Sequence, residues 1–424
     1  MRCGNLEPMT IAFITLGCKL NYAETSTYER GFKAAGLTVV PWRQKADIYL
    51  INTCAVTQTS TAKSRNEIRK VHRINPQAII VVTGCYAQLE PDEIRGIEGV
   101  SLLFGSGSKG SLVAETLRFA GIVIPEGMQA SRSETMAAFS SGERTRSFLK
   151  VQDGCSNYCA YCTVPYARGE SRNIPIEECV RGARQIAAEG IREIVLTGVN
   201  TGDFGKTTGE SFLDLLKALN SVEGIERYRI SSIEPNLITP QIIDWIASGT
   251  KFQPHFHIPL QSGSDTLLAR MGRRYDTAFF RDRIQYIRDR MEGPGKPKVF
   301  FGIDVMAGLP GETRELFLES FSFIESIRPA FIHVFPYSPR PGTPAAEMDG
   351  QVSSKEKDRR VALLEDLCSS LHAEFVEANR GVRETVLFES KEKDGTMGGY
   401  TGNYIRVTRP YDAALAGQLA EVII

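Results

Sequence analysis

The stretch VQDGCSNYCAYCTVPYARG, residues 151–169, decides how the chain is read. Its cysteines, Cys155, Cys159 and Cys162, are spaced C-x-x-x-C-x-x-C. Three thiolates suit a 4Fe–4S cluster that leaves one iron without a protein ligand, whereas a cluster that only passes electrons takes a fourth Cys. An iron with an open position can bind a small molecule, by the logic of an open catalytic metal site. Zinc would ask for a fourth Cys or His close by, and residues 140–178 hold none.

A second set of cysteines lies upstream. Cys18, Cys54 and Cys85 each follow a short apolar run: FITLGC, YLINTC and VVTGC. Strands of one parallel sheet place their carboxyl ends side by side, so a Cys just past each end can converge on one point. Three converging thiolates would hold a second cluster, again with one iron open. The alternative is three buried structural thiols, since free Cys is commonly buried. Such thiols would fall within strands as often as just after them.

Around the two triads, alternating apolar runs and helical patterns set the fold class as α/β. In residues 1–120, strands are expected at 10–16, 47–53, 78–84 and 101–105, with helices at 23–35, 57–72 and 109–119, which predicts a doubly wound parallel sheet. Residues 121–146 are polar and small and read as a linker. From 147 to 352 the alternation repeats six times, with strands near 148–151, 193–197, 228–233, 255–260, 299–305 and 331–336. Six units fall short of the eight of a closed barrel. Residues 353–381 read as one connecting helix. Residues 382–424 show short strands around Gly-rich turns, a small all-β barrel.

The motifs TLGCKLNYAET, INTCAVT and VTGCYAQ, followed by the 151–169 stretch with Tyr161 before its last Cys, resemble the radical S-adenosylmethionine methylthiotransferases. The resemblance implies a central partial (βα)6 barrel and a C-terminal TRAM-like RNA-binding domain. It implies two 4Fe–4S clusters, one on Cys155, Cys159 and Cys162 and an auxiliary one on Cys18, Cys54 and Cys85. S-adenosylmethionine would serve as radical source and as methyl donor. TLGCKLN-x-x-ET resembles the branch that adds a methylthio group to carbon 2 of threonylcarbamoyladenosine at tRNA position 37. The alternatives are isopentenyladenosine in tRNA or a ribosomal protein as substrate, or a non-catalytic RNA-binding iron–sulfur protein. Implied partners are tRNA, an electron donor such as a flavodoxin or ferredoxin, and a sulfur source.

Strand ends are the places to seek cofactor contacts: Gly198 and Asn200 in LTGVNTG, Ser232 and Glu234 in RISSIEP, and Gln261 in PLQSGS. Glu234 could accept ribose hydroxyls. VMAGLPGE, residues 305–312, lacks the Lys-Ser/Thr of a phosphate loop. Cys179 and Cys368 fall on apolar helix faces and read as core, and Cys3 falls in a tail. His255 and His257 share one strand face and, with no third ligand in view, read as packing. RNA contacts are expected at Lys391, Lys393, Tyr400, Tyr404, Arg406 and Arg409, where aromatics can stack bases and cations meet phosphates. Two further basic runs, 63–73 and Arg270, Arg273 and Arg274, can steer a phosphate backbone or form solvated faces.

Composition narrows the class. Fifty Lys and Arg balance fifty Asp and Glu, so any nucleic-acid affinity must come from local patches. Nine cysteines without an export signal point to metal binding in a reducing, cytoplasmic compartment rather than disulfides. No run of 18 apolar residues occurs, so no membrane span is expected.

Overall fold

The computed structural model describes residues 8–125, 135–142 and 145–424, apart from the side chains of residues 391 and 392. Cys3 and the Lys391 side chain therefore lie outside the described residues. The N-terminal part is a parallel sheet of β1 (Thr10–Thr15), β2 (Thr38–Val39), β3 (Ile48–Thr53), β4 (Ile79–Gly84) and β5 (Val100–Phe104), in the order β2–β1–β3–β4–β5. β3 is buried along its whole length, as a near-continuous apolar run covered on both faces must be. Helix α1 (Lys19–Ala34) covers one face with Tyr28 and Phe32. Helix α2 (Gln58–Ile74) covers the other with Ile68 and Val71. The order reverses between β1 and β3, the switch point at which open α/β sheets gather ligands past their carboxyl ends. Cys18 and Cys54 stand past those two ends, and Cys85 follows β4.

The central part continues with β6 (Arg146–Lys150), β7 (Glu193–Thr197), β8 (Arg227–Ile230), β9 (His255–Gln261), β10 (Phe300–Ala307) and β11 (Phe331–Pro336). They form two parallel three-stranded sheets, β8–β7–β6 and β9–β10–β11. These meet where Tyr228 bridges Phe252 and the Ile233 N–H donates to His257 O at 3.1 Å. Six parallel strands thus follow one another in chain order, a partial barrel. The end of the expected linker packs against it: the Ser140 N–H donates to Phe148 O and the Lys150 N–H to Ala138 O, an antiparallel edge beside β6.

A helix over Ser354–Glu377 runs along β11 and leads to β12 (Arg383–Lys393), β13 (Thr396–Thr401), β14 (Arg406–Pro410) and β15 (Leu419–Ile423). The C-terminal strands form an antiparallel sheet in the order β14–β13–β12–β15. A register shift between Phe388 and Glu392 bends β12, so the expected small barrel is a curled half-barrel with two edges. Buried arginines fasten it to the central part. Arg229 donates from Nε to Glu193 at 2.8 Å and from its two terminal nitrogens to the carbonyls of Gly402 and Thr401, each at 2.7 Å. Arg227 reaches the Tyr400 carbonyl and Thr385. No helix among the described residues is long and apolar enough to cross a membrane.

Candidate active site

Glycine turns set the first triad. Gly17 lies at φ +95°, and a Cβ there would stand 2.9 Å from the Cys54 Sγ. Gly84 lies at φ +101°, and its Cβ would stand 2.3 Å from the Thr53 carbonyl oxygen. Only glycine permits both the dihedral and the approach. Asn21 then ties β1 to β3, donating to Leu16 O at 2.7 Å and Thr53 O at 3.0 Å. Burial pushes the Cys54 and Cys85 thiols up, and the charge of Cys18 pushes both further. The three sulfurs therefore lie within one another's fields. Thiols held in this way are readied for a metal that displaces their protons. Gly17→Ala is expected to lower iron in the reconstituted protein from about eight to about four per chain, with the fold kept. Eight irons in that variant would argue against convergence of these cysteines.

The second triad lies on the loop after β6. Burial pushes Cys155 up to about 11 and Cys162 up to about 12, with the charge of Cys159 adding to the first and those of Cys159 and Cys155 to the second. Two donors point at sulfur: the Val164 N–H to Cys162 at 3.4 Å and the Arg273 guanidinium to Cys159 at 3.3 Å. Such donors orient thiolate ligands and tune a cluster. Arg273 is thus a buried partner of the loop rather than an RNA-steering cation. Its neighbours in sequence differ: Arg274 is exposed, and Arg270 donates to Asp349 O. The remaining described cysteines are packed elsewhere, Cys179 in the central core and Cys368 under the Ile332 N–H.

The expected cofactor contacts separate into three kinds. Glu234 is not a free ribose acceptor, because one oxygen pairs with Arg273 at 2.8 Å and the other accepts from Asn157 Nδ2 at 2.9 Å. It fastens the cysteine loop to a strand end. The space left by Gly198 is taken by Gln152, whose Oε1 would lie 2.8 Å from an added Cβ and accepts the N–H groups of Val199 and Asn200. Asn200 does offer something. Its Oδ1 accepts the Glu234 N–H, while Nδ2 is buried with no partner among the described residues, as is the nearby Ser231 Oγ. Buried orphan groups at strand ends suit a polar ligand. Ser232 uses its carbonyl to hold Thr201, Gln261 sits at a bulge with φ +71°, and Tyr161 packs with Leu267 and Met271 under Arg273. In the 305–312 loop, Glu312 accepts from the Gly308 N–H and Arg360, which closes that turn on itself.

Two short helices bring the triads to one junction. Helix α3 (Cys85–Leu89) starts on an auxiliary cysteine and packs against α4 (Val164–Arg168), which starts two residues after Cys162. Arg168, at the end of α4, donates to Asn21 at 2.5 Å, Asp153 at 2.8 Å and Glu24 at 3.2 Å. Lys109 and Lys150 also pair with Glu24, and Lys150 with Asp153. These five charged side chains are all buried. With Arg172 at 3.8 Å from Asp153 as a fourth, half-buried cation, positive charge outweighs the two carboxylates, and Arg168 feels Cys85 and Cys18. The surplus thus faces the auxiliary triad, where thiolates or an anionic cluster would balance it. The sequence carries no sign of this network, and it places Arg273 in a basic run without showing that it serves Cys159 and Glu234.

A cavity of about 780 Å³, within the range of small-molecule sites, opens between the partial barrel and the C-terminal sheet. Its walls come from inward positions of the partial barrel, from Tyr400, Tyr404 and Arg406 of the C-terminal half-barrel, and from Lys19, the residue after Cys18. Tyr400 and Tyr404 stack at 4.6 Å, with Arg146 over the Tyr400 ring at 4.9 Å. His255 stacks on Phe300 at 4.9 Å, and burial with Arg229 beside it pushes its pKa far down, so it is a neutral wall. His257 hydrogen-bonds Asp304 at 2.8 Å and stacks on His333, whose ring also faces Phe331. The structure thus corrects the expectation for His257: Asp304 and His333 bring two further ligand groups to it, with all three ligand atoms within 4.8 Å of one another, while His255 packs. Of the expected RNA contacts, Tyr400, Tyr404 and Arg406 share the cavity. Arg409 lies on the other strand face, over Phe388, since side chains alternate along β14, and Lys393 is exposed at a turn.

The model of Uncharacterized protein family UPF0004 matches residues 10–105, and that of the Radical SAM superfamily matches residues 149–324. A threonylcarbamoyladenosine tRNA methylthiotransferase of Bacillus subtilis is 39% identical over 98% of this chain and 93% of its own length. A protein of the same name from Aquifex aeolicus is 35% identical over 98% and 100%. A tRNA-2-methylthio-N(6)-dimethylallyladenosine synthase of Alkaliphilus oremlandii is 30% identical over 97% and 89%. Among solved structures, a radical S-adenosylmethionine methyltransferase from Kitasatospora setae shares the fold, with a TM-score of 0.57, 14% identity and coverage of 80% of this chain and 77% of that one. With relatives of this identity aligned along nearly its whole length, the chain belongs to the radical S-adenosylmethionine methylthiotransferase family.

Proposed function

We propose that this chain adds a methylthio group to carbon 2 of threonylcarbamoyladenosine at tRNA position 37. One observation carries the reading. The helix that begins at Cys85 packs against the helix that follows Cys162, and Lys19, next to Cys18, lines a basic, aromatic-walled cavity. Cys155, Cys159 and Cys162 would hold one 4Fe–4S cluster, and Cys18, Cys54 and Cys85 the other. Bound there, the first would supply reductive cleavage of S-adenosylmethionine to a hydrogen-abstracting carbon radical, and the second a sulfur carrier, with further S-adenosylmethionine as methyl donor.

The chain's own residues position and shield. Arg273 and Glu234 hold the cysteine loop against the strand ends. Asn200 offers an unspent buried donor to the cofactor. Arg168 locks the two triads in register. Residues 1–120 would carry the auxiliary cluster, 147–352 the radical chemistry, and 382–424 part of the RNA contact through Tyr400, Tyr404 and Arg406. An electron donor such as a flavodoxin or ferredoxin and a sulfur source complete the reaction, in the cytoplasm, where thiols stay reduced.

The test is mass spectrometry of tRNA nucleosides from a strain lacking the gene and from the same strain complemented. Loss and return of the methylthio derivative of threonylcarbamoyladenosine is the expected result. Loss confined to the isopentenyl series would move the assignment to that substrate, for which the dimethylallyladenosine synthase relatives are the supporting observation.

A further inference from the structure

We infer that Lys19 reads a negatively charged substituent on the substrate base, and that this contact separates threonylcarbamoyladenosine from adenosines with neutral side chains. The inference rests on the reading above that the cavity holds the modified base.

Four cations line the cavity, Lys19, Arg146, Arg229 and Arg406, against one carboxylate, Glu389. Two of the four are already committed. Arg229 spends its guanidinium on Glu193 and two carbonyls. Arg146 lies against Glu193 at 3.3 Å and Glu389 at 3.7 Å. Asp304, near the cavity, takes the hydrogen bond of His257. Lys19 is exposed on the cavity wall and has no hydrogen bond or ion pair among the described residues. Lys19, beside Cys18, and Arg406, on the C-terminal sheet, are thus the two lining cations left free to meet an anion that enters the cavity, and Lys19 is the one next to the auxiliary triad.

The chemistry of the ligand follows. The threonylcarbamoyl group ends in a carboxylate, while a dimethylallyl group carries no charge and no hydrogen-bond acceptor. A carboxylate would pair with Lys19, and a neutral apolar group seated there would displace water from the ammonium without replacing its hydrogen bonds. A site built to bind a polar group rejects the analogue that lacks it far better than an apolar pocket rejects an added group. Because Lys19 follows Cys18 directly, the anchored substituent would hold the base beside the auxiliary triad.

Anticodon stem-loops carrying threonylcarbamoyladenosine, its methyl ester or dimethylallyladenosine are titrated against the reconstituted full-length protein, with binding read by fluorescence anisotropy. The parent should bind the free acid about tenfold or more tightly than the ester, as expected for a charge-assisted contact. Lys19→Ala and Lys19→Gln should bring the two within about twofold, and Lys19→Arg should restore most of the preference. Iron content and 5′-deoxyadenosine formation are measured on each variant, so that loss of a cluster is not mistaken for loss of recognition. An undiminished acid-over-ester preference in either neutral variant overturns the inference. Equal binding of acid and ester by a parent that still methylthiolates the free-acid RNA overturns it too, and leaves the proposed function standing. A parent that methylthiolates only dimethylallyl RNA overturns both.

Discussion

Cys155→Ala is expected to form no 5′-deoxyadenosine above background, whereas Cys54→Ala forms it near the parent rate and yields no methylthiolated RNA. Replacing an outer partner of a metal ligand costs about ten- to a hundredfold, so loss of a ligand should cost at least about a hundredfold. The separation follows from how each triad is held. Cys155 lies on the loop fixed by Arg273, Glu234 and Asn157, contacts confined to the central part. Cys54 lies past β3 of the N-terminal sheet, against Gly17. Neither triad borrows a ligand from the other, so each variant should retain about four irons per chain. Anaerobic assays with liquid chromatography of 5′-deoxyadenosine and mass spectrometry of the RNA read both outcomes. Full 5′-deoxyadenosine formation by Cys155→Ala would remove that triad from the radical step. Normal methylthiolated product from Cys54→Ala would exclude the auxiliary role.

Much of this arrangement is legible in the sequence because parallel sheets write themselves plainly. Buried strands such as Ile48–Thr53 and Ile79–Gly84 are short apolar runs, and each ends on the Gly or Thr that leads to a cysteine. The first helix is expected from 23 but starts at Lys19. Its N-cap, Cys18, makes no side-chain cap bond, so ordinary helix-start signals are missing there. The turn is fixed instead by Asn21, which bonds across to β3. β2 has two residues, too few for any alternation to register.

The parts that stayed hidden are those made by distant segments. Arg168 meets Glu24 across 144 residues, and Arg273 meets Cys159 across 114. Arg168 has no spacing to give it away, and the basic run that holds Arg273 gives no sign of which cation turns inward. The same holds for Gln152, which occupies the room that Gly198 leaves. Arg406 and Arg409 look like one patch in sequence, yet a period of two residues sends them to opposite faces. The triads are written in motifs because their chemistry needs fixed residue types. The residues that bring them together need only charge and reach.

Glu24→Gln is expected to destabilise the protein by about 3–5 kcal/mol, the cost of breaking a buried ion network by removing one partner. Glu24 comes from α1, and Lys109 also lies on the N-terminal side, while Lys150, Asp153 and Arg168 come from the central part. The substitution would leave three buried cations facing the single carboxylate of Asp153. The excess would strain the junction that aligns the triads as well as the fold. Burial opposes ionisation of Glu24, but Lys109, Lys150 and Arg168 overcome it and hold its carboxyl well below the ordinary 4.5. Asp153 is held below its ordinary 3.8 in the same way, chiefly by Lys150 and Arg168. Both carboxyls therefore titrate lower in the folded chain than in the unfolded one. The stability they add is present above those ordinary values and drains away as pH falls through and below them. Urea midpoints measured from pH 7 down to pH 3 should fall for the parent, with a smaller acid-dependent loss for Glu24→Gln, which starts lower and has one fewer carboxyl to protonate. Adding Lys109→Met should cost less in the Glu24→Gln background than in the parent, because it removes a charge already left without its partner. Equal costs in the two backgrounds, or a midpoint for Glu24→Gln matching the parent at pH 7, would mean that the network does not hold the two halves of the site together.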